Sequence, residues 1–112
     1  MTKIIPIDSV YRDSHRKRDN DDDYCAWLRT QRSAFSGCKR KIVAAHFRTA
    51  ENSGIAINPL FSAIPLTDDE YQTQHRVGQF AFASRGWWIA EVKRHQQMFI
   101  IQGGVIPVRY LV

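Results

Sequence analysis

Tyr71 and His75 stand four residues apart, directly after Thr67-Asp68-Asp69-Glu70. That tetrapeptide spells a capping box, in which Thr67 and Glu70 satisfy each other's orphan backbone donors at a helix start. Asp68 and Asp69 complement the dipole of the helix, and the i, i+4 spacing puts Tyr71 and His75 on one face, one turn apart. This is the geometry of a two-ligand helix. A third candidate, His46, lies near the end of Lys41-Ile42-Val43-Ala44-Ala45-His46-Phe47, which reads as a strand. Period two places Ile42, Ala44 and His46 on one side and Val43, Ala45 and Phe47 on the other. An imidazole titrates near working pH and can accept a proton or ligate a metal. The bland alternatives are a core His46 bonded to a nearby carbonyl and an exposed helical His75. Cys25 and Cys38 are separated by 13 residues, which matches no common zinc spacing, so a metal site shared with His46 is not expected and buried thiols are.

The elements that must position these residues follow from periodicity and punctuation. Ile5, Ile7 and Val10 suit an edge strand, since Pro6 removes a ladder donor. The charged stretch 12–23, including Asp19, Asp21, Asp22 and Asp23, reads as solvated loop. Tyr24, Trp27, Leu28 and Gln31 then recur at helical spacing, predicting a helix over 23–32. Residues 33–39 form a turn by composition, and residues 48–61 a long loop marked by Asn-Ser-Gly and Asn-Pro. A second strand spans Ser62 to Leu66, halted by Pro65, before the capped helix, which Gly78 weakens. Trp88, Val92, His95 and Phe99 trace another helical stripe. Trp88 reads as core, and Trp87 is open between packing and base stacking. Gly103-Gly104 is either a hairpin turn or a helix stop before an apolar tail.

At 112 residues, 44% hydrophobic and 24% charged, the chain suits one globular domain and excludes multidomain or disordered readings. We divide it into an arm and charged loop, 1–23, and a domain, 24–112. Sixteen Lys and Arg against eleven Asp and Glu give +5, which favours a polyanionic partner. Arg29, Arg32, Lys39, Arg40, Lys41 and Arg48 fall in one stretch without an acidic residue. Lys39, Arg40, Lys41, Arg48 and Arg76 are the candidate phosphate contacts, and Arg48 leads because it shares the side of His46 on an extended strand. No apolar run approaches the ~20 residues of a membrane span, and no signal peptide is legible at the start. A cytoplasmic address without membrane contact is the expectation.

The order strand, loop, strand, helix, with one His on the first strand and one on the helix, resembles the HNH, or ββα-metal (His-Me finger), nucleases. The text from AHFR through SAIPLT to QHRVG is similar to small prophage HNH-type proteins related to the phage recombination-enhancement nuclease Ref, over roughly residues 24 to 95. The resemblance implies an α+β fold with a ββα-metal core flanked by helices, and DNA, single-stranded or a recombination intermediate, as partner. It implies His46 as the general base and His75 as ligand to a divalent ion (Mg, Mn or Zn), with Tyr71 and Asn58 at weaker ligand positions. Hydrolysing a phosphodiester needs such a base to activate water and a cation to neutralise the scissile phosphate.

The departures are chemical. A phenol, ionising near ~10, poorly replaces an imidazole at Tyr71, and Asn58 is the one polar candidate beside Pro59-Leu60. Where many relatives carry two CxxC pairs, this chain has Ser33 and Ser36, then Thr67 and Glu70, so no four-cysteine zinc is expected. Apolar packing by Trp27, Leu28, Phe61, Leu66 and Trp88 must serve instead. Three functional readings follow: a metal-dependent endonuclease, a catalytically degenerate DNA-binding module, or an assembly subunit whose tail, Val105 to Val112, pairs with another chain as a strand edge. The last makes the protein a homo-oligomer.

Overall fold

A computed structural model describes residues 19–47 and 60–112. The domain is α+β: helix α1 (Asp22–Leu28), strands β1 (Ile42–His46) and β2 (Ala63–Thr67), helices α2 (Asp68–Val77), α3 (Gln79–Phe82) and α4 (Arg85–Ile101), and a 3-10 turn, Val108–Tyr110. β1, β2 and α2 follow one another as a ββα unit. The strands pair antiparallel, from Ile42 opposite Thr67 to His46 opposite Ala63. The edge-strand prediction at Ile5 to Val10 and most of the long loop lie outside the described residues.

Alternation along the strands sorts the core into two clusters. Ala63 packs with Tyr24, Cys25, Leu28, Phe61, Phe99, Ile106 and Tyr110, with Ala44 against them. Ala45, Phe47, Ile64 and Leu66 pack with Trp88 and Val92, where the Phe47 and Trp88 rings stack at 5.7 Å. α4 serves both clusters, and its buried Trp88, Val92, His95 and Phe99 are the predicted stripe. Burying each large apolar side chain is worth about 1.5–3 kcal/mol, enough to hold strands of five residues. His95 is itself a core histidine: Nδ1–H donates to the Glu91 carbonyl (2.8 Å), and burial, helped by Arg94, lowers its pKa. Trp87 is half-buried and meets Phe35, Phe82 and Trp88 edge-on.

Four details depart from the sequence reading. α1 ends at Leu28 because Thr30 and Gln31 donate to carbonyls three residues back and the Thr30 hydroxyl takes the Trp27 carbonyl (2.6 Å). Pro65 does not halt β2. It sits opposite Ala44, and its carbonyl faces away from β1 to accept from Ala34 N–H (2.8 Å), so the missing N–H falls on the outer edge and costs no rung. Asp21 is not solvated: it is 8% exposed. The tail after Gly103, φ +99°, is no strand edge; it folds back to bury Ile106 and Tyr110. Gln96, itself buried, donates to the carbonyls of Phe61 (2.7 Å) and Tyr110 (2.9 Å) and accepts from Val112 N–H (3.0 Å).

The capping box forms as spelled. Thr67 N–H donates to the Glu70 carboxylate (2.9 Å) and Glu70 N–H to the Thr67 hydroxyl (3.1 Å). Ser33 Oγ–H donates to the same carboxylate oxygen (2.5 Å) and accepts from the N–H groups of Phe35 and Ser36. Ser33, Ser36, Thr67 and Glu70 thus meet in a hydrogen-bonded knot.

Candidate functional site

His46 ends β1 on the face that α1 covers. Asp21 immediately precedes α1, and Cys25 lies one turn on, with Cys25 N–H bonded to the Asp21 carbonyl (2.8 Å). One helix face therefore presents a carboxylate and a thiol to the strand. His46 Nε2 is 2.8 Å from Asp21 Oδ2 and 3.8 Å from Cys25 Sγ. Phe61 N–H also donates to Asp21 Oδ2 (3.0 Å), from a backbone at φ +62°, a left-handed conformation unusual for a bulky residue.

The electrostatics fix the proton. Burial alone would raise the Asp21 pKa, but the bonds from His46 and Phe61 N–H outweigh it and hold the carboxyl below its ordinary range. An ionised carboxylate only accepts. The contact between Nε2 and Oδ2 is therefore made by a proton on Nε2. Burial first, then the Asp21 charge and hydrogen bond, push the Cys25 thiol up to about 12, so it is protonated. The three ligand atoms lie within 4.8 Å of one another, a cluster able to hold a divalent ion.

One-third exposed at its side chain, His46 also lines an open cleft of about 220 Å³ with Tyr71, Gln74, His75, Gly78 and Gln79 of the α2 side. The strand and helix histidines thus share one cavity. Tyr71 and His75 rings meet edge to face, centroids 4.4 Å apart. Gln74 is 6% exposed, and its side-chain amide has no hydrogen-bond partner among the described residues. Among the described residues of the helix wall, His75 is the one strong metal ligand, accompanied by a phenol and amides and no carboxylate, which by itself makes no coordination shell.

Lys39, Arg40 and Lys41 are exposed at the other end of β1, about 16 Å from His46 at the rise of a strand; they do not enter the cleft. Arg76 is exposed on α2. Arg48 and Asn58 lie outside the described residues. Sequence spacing missed Asp21 and Cys25. Counting between two cysteines misleads here, because Cys38 is exposed while Cys25 pairs with His46, against the expectation. The one legible signal was the i, i+4 relation of Asp21 to Cys25. Compared with family models, curated proteins and solved structures, the chain matches none.

Proposed function

We propose that this chain is a nuclease-like module that binds nucleic acid and hydrolyses phosphodiesters in the cleft between β1 and α2, in the manner of the small prophage HNH-type proteins it resembles. The observation that carries the reading is the cleft itself, where a histidine held by Asp21 shares one cavity with a second histidine and a buried amide that has no partner among the described residues. A buried polar group without a partner marks a place where a ligand would supply one. In this reading His46 Nδ1 accepts a proton from water as the water oxygen bonds to phosphorus. The phosphorus–ester bond breaks, and the leaving oxygen takes a proton from solvent in the open cleft. Gln74 and His75 hold the phosphate. Because the described residues of the helix wall supply one imidazole and no carboxylate, the cation that neutralises the scissile phosphate would be a magnesium or manganese ion arriving with the substrate.

Lys39, Arg40 and Lys41 serve the same substrate at a distance. A backbone running from the cleft to their turn covers about 16 Å, or roughly five steps of a strand at 3.4 Å each. The test is nicking of supercoiled plasmid, with and without added magnesium or manganese, comparing the wild type with His46→Ala. Loss of a general base costs roughly 10²–10⁴-fold. Equal behaviour of the two proteins would defeat catalysis.

The absence of a ligand set on α2 favours a second reading, a binding module without cleavage. Its signature is retention of DNA whose log affinity falls linearly with log salt, unchanged by His46→Ala and reduced when Lys39, Arg40 and Lys41 are neutralised together.

A further inference from the structure

We infer that Asp21, Cys25 and His46 form a binding site for a thiophilic divalent ion of the zinc class, and that filling it removes His46 from service as a base. The second half rests on the proposed function; the first does not. In a tetrahedral zinc shell, bonds of about 2.3 Å to sulfur and 2.0–2.2 Å to nitrogen and oxygen set ligand atoms roughly 3.3–3.7 Å apart. Cys25 Sγ and His46 Nε2 already stand 3.8 Å apart. Asp21 Oδ2 and Nε2, at 2.8 Å, need to open by only about half an ångström, exchanging a hydrogen bond for a shared cation.

The surroundings suit that exchange. Asp21 and Cys25 are fixed one turn apart by the bond that starts α1, and Phe61 N–H steadies the carboxylate (3.0 Å), as outer partners do for metal-bound oxygens. Asp21 and Cys25 are buried while His46 is partly open, so three protein ligands leave the fourth position to solvent. A thiolate beside an imidazole selects zinc or cobalt over magnesium or calcium.

The sharing of one imidazole between the cluster and the cleft makes the site a switch. Binding releases the Cys25 thiol proton to solvent. His46 Nε2 gives up its hydrogen to bond the ion, and the neutral ring carries that proton on Nδ1 instead. Nδ1 is the nitrogen that would take a proton from water, so the same imidazole cannot serve the ion and the substrate together. One proton leaves per ion bound, and no electron moves.

The test uses the full chain and cobalt(II), then zinc. Wild type and Cys38→Ser are expected to show a near-ultraviolet thiolate-to-cobalt band saturating at one ion and abolished by zinc. Cys25→Ser and Cys25→Ala, each checked for folding by circular dichroism, are expected to lose it. Affinity should fall at least ~100-fold, since even outer-shell partners are worth 10- to 100-fold. Nitrogen-15 spectra of the His46 ring should show the protonated nitrogen moving from Nε2 to Nδ1 with zinc. In the nicking assay, zinc should inhibit the wild type and spare Cys25→Ser. A missing band, or one retained without Cys25, overturns the site. An unmoved ring proton, or equal inhibition of both proteins, overturns the switch. A wild type that never nicks sinks the proposed function alone, and the cobalt and nitrogen spectra still decide the site.

Discussion

Asp21 holds two donors: Phe61 N–H and His46 Nε2–H both end on Oδ2. Asp21→Ala strands the backbone donor beside a left-handed Phe61, and an unsatisfied buried group costs about 1–3 kcal/mol. Chemical denaturation should show that loss in the midpoint, with an unchanged slope. The two thiols separate by environment at the same scale. Cys38 is exposed, whereas Cys25 is 7% exposed and kept protonated by burial and by Asp21. The thiolate is the reactive form, so brief alkylation of the native protein should modify Cys38 and leave Cys25 intact, as peptide mass mapping would reveal.

Between elements, the knot of Ser33, Ser36, Thr67 and Glu70 ties the turn after α1 to the start of α2. Burial would raise the Glu70 pKa, but the bonds from Ser33, Ser36 and Thr67 outweigh it and keep the carboxyl below its ordinary range. A depressed carboxyl contributes stability that is complete above the unfolded pKa of about 4.3 and is lost as pH falls through the lower folded value. Wild type should therefore lose stability faster than Glu70→Gln as pH drops below about 4.3, while near pH 7 Glu70→Gln should be the less stable. Urea titrations at several pH values would check both signs. Of this link, the capping box was legible because its partners lie three residues apart. The Ser33 bond was not, because it spans 37 residues.

For the whole molecule, the C-terminal segment belongs to the core. Ile106 and Tyr110 pack with Tyr24 and Phe61, and Gln96 pins the Tyr110 carbonyl and Val112 N–H. Arg109 and Tyr110 also reach Asp19 at the other end of the described chain. Ending the chain after Gly104 removes two large buried side chains at about 1.5–3 kcal/mol each, a large share of the 5–15 kcal/mol that holds a domain folded. Truncation should thus broaden or abolish the thermal transition, rather than produce a folded body that has merely lost partners. A sharp, native-like melt would show that the tail is dispensable. Among the described residues no helix is long and apolar enough to cross a membrane.

The sequence by itself determined whatever depends on neighbours along the chain: the capped start of α2, the buried stripe of α4, the parity that sets His46 on the side of Ala44, and the basic stretch ahead of β1. Backbone periodicity and caps act over three or four residues, so their signals survive without a fold. Tertiary structure alone decided that Asp21, read as solvent-facing, and Cys25, dismissed by its spacing from Cys38, meet His46 from 25 and 21 residues away. It also decided that Pro65 sits inside a strand. Such contacts depend on how α1 lies across the sheet and which edge of β2 faces outward. Those angles are set by the shapes of the two apolar clusters, which no local pattern encodes.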